Sequence, residues 1–348
     1  MSAFGPKQTW AVALHMSAFG GKADCQMHSA LFASVARSSQ NKTLFRRRFV
    51  PITYRPARST DLVRADELVV GSMNDLTERH GFGKIATPRP PPFQLFSLKD
   101  DPDGLWMAED DGEMVGFAWS WVCGDLWFLA QLFISPARQG SGIGNELIKR
   151  TWEPAKDKGA TNKALITFTF NTVSQGLYLR HGMFPRFPIY FFSVASEHLK
   201  PRLEGPRLRY AELEETTSHL RHLAGIDAQA LGVSREKHHR YLINDPSTKG
   251  VLLYRGDNCV GYAYVADGHI GPMAVVHSDE MGTAFKTTLA IAADSGTSQV
   301  TAFLSGPCEA ALSAAVEAGM RITLPMVLMS SSDFGNWAQY LPRNPGFM

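Results

Sequence analysis

Regular alternation of apolar and polar positions begins near Val50. Residues 52–56 read as a strand. Thr60 and Asp61 can cap a helix running to about Thr77, with Leu62, Ala65, Leu68, Val69 and Met73 on one face. The Pro-rich stretch 88–92 reads as a loop. Strands at 105–109 and 114–121 flank the turn at 110–112, a hairpin signal. A turn at Gly124 and Asp125 leads into a third strand, Leu126–Ile134, so three antiparallel strands run in series. The period then changes. A glycine-rich turn opens a helix with Ile143, Leu147, Ile148, Trp152 and Ala155 on one face, which Pro154 should kink or end. A strand at 163–170 follows, then a helix at 174–181 closed by Gly182, then a strand at 187–194. Residues 196–206 read as a linker.

The second half repeats this plan. Strands at 251–254 and 260–265 form another hairpin, and Gly261 lies 145 residues after its counterpart Gly116. Further on, Gly319 lies only 137 residues after Gly182, so the second copy is eight residues shorter between these markers. The glycine-rich turn falls in that interval, and residues 268–275 match the third strand with no such turn after them. A duplication with one degenerate half accounts for this. The pattern gives a mixed α/β architecture in two copies, 50–197 and 206–335, with an extension at 336–348.

Length agrees, since 348 residues suit two domains. Apolar residues at 44% and charged residues at 20% are ordinary for a soluble globular chain. The net charge of +2 hides a bias: residues 1–48 carry seven Lys or Arg and one acid, leaving 28 basic and 32 acidic residues in the rest. Those 48 residues, with Met-Ser-Ala-Phe-Gly at 1–5 and again at 16–20, read as a disordered basic leader. The Arg- and Ser-rich stretch 37–48 also suits a targeting arm. The mildly acidic remainder argues against nucleic acid as a partner. The cysteines at 25, 123, 259 and 308 have neither disulfide nor zinc spacing, which fits a reducing cytoplasm. No apolar run is long enough for a membrane helix.

The candidate chemistry lies in Gln139-Gly140-Ser141-Gly142-Ile143-Gly144. Glycines at alternate positions let a ligand approach the backbone. The helix that follows offers free N–H groups and a positive dipole end to a phosphate, and Arg138 adds charge. A P-loop needs Lys and Ser or Thr after the last glycine, but Asn145 stands there. A dinucleotide fingerprint needs different glycine spacing within a βαβ unit.

The order is antiparallel meander, strand, Gln-x-x-Gly-x-Gly, helix, strand, Asn171, Tyr178, then Gly182-Met183-Phe184. It resembles the GCN5-related N-acetyltransferase (GNAT) superfamily over about residues 52–195. The resemblance implies acetyl-CoA as co-substrate and no metal. It implies a third strand that splays from its neighbour, so that Leu132, Phe133 and Ile134 pair with the pantetheine arm. The pyrophosphate would sit on the N–H groups of Gly140, Ser141, Gly142, Ile143, Gly144 and Asn145, beside Arg138 and Gln139. Asn171 would bond the pantetheine or acceptor side, and Tyr178 would protonate the departing thiolate. Read without the resemblance, Asn171 is a helix N-cap and Tyr178 a core residue.

The general base is where the match stops. Many members of the family carry a Glu near the third strand; here Gln131 occupies that region and cannot act as a base. Glu109, Asp110 and Asp125 are the nearest candidates, with a water chain as the alternative, and each acid also reads as a turn residue. Trp119 and Trp121 share a face, as core or cleft wall. His238 and His239 read as a helix surface, and His269 and His277 lack partners at metal-ligand spacing. The expectation is a cytoplasmic acetyltransferase acting on a small-molecule amine through its first copy. Alternatives are a non-catalytic acyl-CoA sensor and a protein or peptide Nα-acetyltransferase.

Overall fold

In the structure, a computed structural model, residues 51–199 and 205–348 are described. The expected leader and the middle of the expected linker lie outside those residues. The first copy runs β1 (Thr53–Pro56), α1 (Leu62–Arg79), α2 (Pro92–Asp100), β2 (Leu105–Asp110), β3 (Glu113–Cys123), β4 (Leu126–Ile134), α3 (Ile143–Asp157), β5 (Asn162–Phe168), α4 (Thr172–Arg180) and β6 (Phe184–Ala195), then the single turn α5 (Ser196–Leu199). The second runs β7 (Arg209–Glu212), α6 (Thr217–Leu231), α7 (Glu236–Ile243), β8 (Thr248–Arg255), β9 (Asn258–Ala266), β10 (His269–Val275), α8 (Met281–Ala293), β11 (Gln299–Ser305), α9 (Glu309–Glu317) and β12 (Arg321–Ser330). A short strand, β13 (Tyr340–Leu341), follows.

Two local details differ from the sequence reading. The Pro-rich loop ends in a helix, because Pro92 takes the first helical position of α2, where its missing N–H costs nothing. His238 and His239 are buried, not on a helix surface. His239 turns inward because the fully buried Asp227, paired with Arg235, supplies a partner there, and His238 packs on Phe93 and Trp121. Arg235 Nε bonds Asp227 at 3.0 Å, His239 Nε2 lies 2.9 Å from the same carboxylate, and the Tyr262 hydroxyl donates to it at 2.6 Å. Pro154 acts as expected: it lies in the last turn of α3, which ends at Asp157.

All the strands join one mixed sheet, in the order β1-β2-β3-β4-β5-β12-β6-β11-β10-β9-β8-β7, with β13 on β10. The two copies exchange their last strands. β12 of the second copy lies antiparallel to β5 of the first, from Met326↔Phe168 to Ser330↔Ala164. β6 of the first lies antiparallel to β11 of the second, from Gln299↔Ala195 to Ser305↔Ile189. The exchanged strands pair with each other at the centre. Residues 49–348 accordingly form one compact unit.

Side chains alternate across the sheet. On one face α1 and α6 share a core that includes Val69, Trp121, Phe128, Ile226 and Tyr262. On the other, α3 and α4 cover Trp127, Leu129 and Leu165, and α8 and α9 cover Ile270, Val300 and Leu304.

Candidate functional site

β4 and β5 pair in parallel only from Leu126↔Asn162 to Phe128↔Ala164. Beyond that they diverge, leaving a wedge along the second half of β4. On its other edge β4 stays paired with β3, but the register shifts between Trp119↔Gln131 and Ser120↔Leu129. Ala130 is the extra residue of this bulge, which bends the strand away from β5. Leu132 and Ile134 pack on the α3 side of the sheet, and Phe133 packs on the α1 side.

The glycine-rich turn closes the open end of the wedge. Gly140 and Gly142 have φ of +79° and +87°, which a residue with a Cβ adopts at a cost. Gly142 is the N-cap of α3, with the buried Ile143 as first helical residue. The first bond of the turn into α3 is Glu146 N–H to Gly142 at 3.2 Å. Among the described residues the N–H groups of Gly140, Ser141, Gly142, Ile143, Gly144 and Asn145 have no partner. They form an anion cradle at a helix start. Gln139 Nε2 donates to the Ile134 carbonyl at 3.3 Å, and the Ser141 hydroxyl to the Arg138 carbonyl at 2.6 Å, so the turn is braced from within. Arg138 is ion-paired with Asp110 beside the cradle. Gly144 approaches α4, where an added Cβ would meet Leu177 at 3.2 Å. The Asn145 side chain bonds His181 Nε2 at 2.9 Å.

α4 carries the other two candidates. Asn171 is its N-cap and accepts from Ser174 N–H at 3.2 Å, which leaves its amide NH2 free. Tyr178 is buried between Leu129, Ile148 and Leu165. Burial pushes its phenol well above the ordinary value, and a hydrogen bond with Ser174 offsets only part of this. Such a phenol stays protonated at neutral pH and can donate.

The three candidate carboxylates are each engaged elsewhere. Glu109 is bound by Arg55 at 3.2 Å, Asp110 by Arg138, and Asp125 lies at the paired end of β4 beside Thr161. Beyond β5 the exchanged strand β12 continues the sheet, with the Pro325 carbonyl accepting the Thr169 N–H at 3.3 Å.

The second copy has the same wedge, and it is filled. Gly116 opposes Ile134 in the first copy and Gly261 opposes Val275 in the second. Met273, Ala274 and Val275 therefore correspond to Leu132, Phe133 and Ile134. Ala274 pairs with Tyr340 and Met273 with Leu341, both in β13. His277 and the acidic turn at Ser278, Asp279 and Glu280 stand where the first copy has its glycines. Sequence reading missed this use of the tail, although the aromatic and aliphatic run Trp337, Tyr340, Leu341, Phe347 was a signal that the segment is buried. A cavity of about 290 Å³ lies beside the tail, lined by Arg186, Phe187, Ser330, Asp333 and Trp337, away from every candidate residue above. Among the described residues no group of three or more His, Cys, Asp or Glu is placed to hold a metal ion, and no helix is long and apolar enough to cross a membrane.

Residues 73–183 match the model of the Acetyltransferase (GNAT) family. A protein of Bacillus subtilis assigned as a ribosomal protein bS18 alanine N-acetyltransferase is 31% identical over 89 residues, which cover 25% of this chain and 59% of that one. A Pyrococcus horikoshii chain assigned as an acetyltransferase has a similar fold, with a TM-score of 0.69 at 17% identity, covering 89% of this chain and 99% of that one. A tandem GNAT protein from the clavulanic acid biosynthesis pathway matches with a TM-score of 0.52 at 14% identity, covering 81% of this chain and 100% of that one.

Proposed function

We propose that the chain is a member of the GNAT superfamily, whose family model matches residues 73–183, and that it is an acetyl-CoA-dependent N-acetyltransferase with a single active site in its first copy, 50–197. The observation that carries this reading is the open wedge of β4 ending in six unpartnered N–H groups. An extended pantetheine arm fits the first feature as a missing strand, and a pyrophosphate fits the second. Leu132 and Phe133 would pair with the arm. Gly140 through Asn145 would take the pyrophosphate, with Arg138 beside it. The amide NH2 of Asn171 would hold the arm near the thioester.

The acceptor amine attacks the thioester directly in a ternary complex. As the C–S bond breaks, Tyr178 gives its proton to the thiolate, a step in which a positioned acid is worth about 10²–10⁴ in rate. The second copy, 206–335, lends β12 to the sheet beside β5 and takes no part in the chemistry, because 336–348 fills its wedge.

The acceptor is a small-molecule amine in this reading. The bacterial relative favours a second one, the N-terminal amine of a protein. A thiol-release assay over amines, amino acids and an alanine-terminated peptide separates the two, with Tyr178→Phe as control. Acetyl-CoA binding without any turnover would instead make the chain a non-catalytic acyl-CoA sensor.

A further inference from the structure

The reading above leaves the proton of the incoming amine without an acceptor, since the nearby carboxylates are engaged elsewhere. We propose that His80 is the general base of the reaction; the inference rests on the acetyltransferase reading.

His80 lies on the acceptor side of the wedge. α1 crosses the end of β4, where the Ser72 hydroxyl bonds the Ile134 carbonyl at 3.3 Å. It ends at His80, whose ring packs on Phe170 at 4.9 Å between centroids. Phe170 in turn stacks on Phe168 at 4.9 Å. Continuing the register from Phe128↔Ala164 sets Phe168 level with Leu132, across the open wedge. Asn171 is the next residue after Phe170. Tyr178 belongs to the core on the opposite face of the sheet. His80 and Tyr178 thus lie toward opposite faces of the sheet, so one group can take the amine proton while the other supplies a proton to the sulfur.

The ring is also held in the tautomer a base needs. Nδ1 lies 2.9 Å from the Leu76 carbonyl, which can only accept, so in the neutral ring Nδ1 carries the hydrogen and Nε2 keeps its lone pair. The surrounding loop is fixed: the Thr77 hydroxyl bonds the Gly83 carbonyl at 2.6 Å, and Asn74 Oδ1 accepts from the N–H groups of Ile85 and Ala86 at 3.0 Å each. Phe82 stacks on the other part of Phe170 at 4.8 Å. Of the charges around it, Arg79 is paired with Asp75 at 2.8 Å. Glu78 and Lys84 are the next nearest charged residues along the chain, and residues 168–171 carry none.

The step balances. Nε2 removes one proton from the acceptor ammonium, the freed nitrogen lone pair attacks the thioester carbon, and the C–S bond breaks with its electrons on sulfur. Tyr178 protonates that sulfur. The nitrogen that has attacked loses its second proton as the tetrahedral intermediate collapses, and solvent carries that proton back to the Tyr178 phenolate. The exposed His80 imidazolium returns its proton to water.

His80→Asn tests this, because Asn keeps a donor at the position of Nδ1 and removes Nε2. With an acceptor from the amine and peptide panel, we expect kcat to fall by about a hundredfold or more. The acid limb of the pH profile should flatten, and the KM for acetyl-CoA should stay within twofold. A readout free of any acceptor is the ¹³C-histidine NMR resonance of His80, assigned with the variant: saturating acetyl-CoA should move it. Wild-type kcat and pH profile in His80→Asn, or an unmoved His80 resonance with acetyl-CoA bound, would overturn the proposal. Failure to bind acetyl-CoA at all overturns the acetyltransferase reading, and this role with it.

Discussion

Val275 donates its main-chain N–H to the Gln339 carbonyl at 3.0 Å, and its counterpart Ile134 in the first copy meets no strand on that side. The difference between the two copies reduces to this edge, closed by the tail in one and open in the other. Calorimetry or native mass spectrometry should therefore count one acetyl-CoA per chain. A second equivalent would show that β13 yields to the ligand.

Gly142 sets the entry to α3 with a left-handed backbone. Replacing it with Val costs about 1–2 kcal/mol in that conformation and turns the cradle N–H groups aside. We expect the Kd for acetyl-CoA to rise tenfold or more, with Tm lower by only a few degrees. An unchanged Kd would place the pyrophosphate elsewhere.

Tyr178→Phe removes a hydroxyl and little volume. The expected result is a kcat lower by about a hundredfold or more, with the Kd for acetyl-CoA unchanged. Because burial raises the phenol, the wild-type enzyme should show no loss of rate from its ionisation up to about pH 10. A basic limb near pH 8 that vanishes in the variant would contradict that environment.

Asp227 and Arg235 are fully buried together, and Arg235 also donates to the Tyr340 hydroxyl at 2.8 Å and to the main-chain oxygen of Met348. Arg235→Met leaves a carboxylate buried with too few partners and should cost about 3–5 kcal/mol in urea unfolding. The double change Asp227→Leu with Arg235→Met should recover part of the loss. If the single variant unfolds at the wild-type midpoint, the pair does not anchor the tail.

Burial lowers the His269 imidazole to about 4, outweighing the bond from Nε2 to the Arg343 carbonyl. Between about pH 6.5 and that value the unfolded chain binds a proton that the folded chain does not. Stability should consequently fall as pH drops through this window. Burial likewise holds His238 well below its usual value, which adds to the slope. Urea midpoints at several pH values would measure it, and His269→Asn should make it shallower.

The meander, the glycine turn and α4 were legible because each is dictated locally: period-two alternation, turn residues and a capped apolar stripe. The duplication showed in the offsets of Gly116 and Gly182 from their counterparts. What escaped depends on partners far along the chain. Nothing near β6 says that it will lie between β12 and β11. His239 read as surface because its burial depends on Asp227 and Tyr264, and His238 because its ring packs on Phe93, Trp121 and Phe347. The tail's place was hidden for the same reason, since β13 is only two residues long and is specified by an empty edge of β10.

The strand exchange also sets an order of assembly. The outer edge of β5 waits for Met326 through Ser330, which are synthesised only after the rest of the second copy. During synthesis the first copy must hold its N-terminal meander beside an unpaired strand edge while the whole second copy is made. Contacts of such long sequence separation form slowly. Limited proteolysis of ribosome-bound chains should find residues 162–168 accessible until β12 emerges, so that the proposed catalytic half becomes competent only once its partner half is complete.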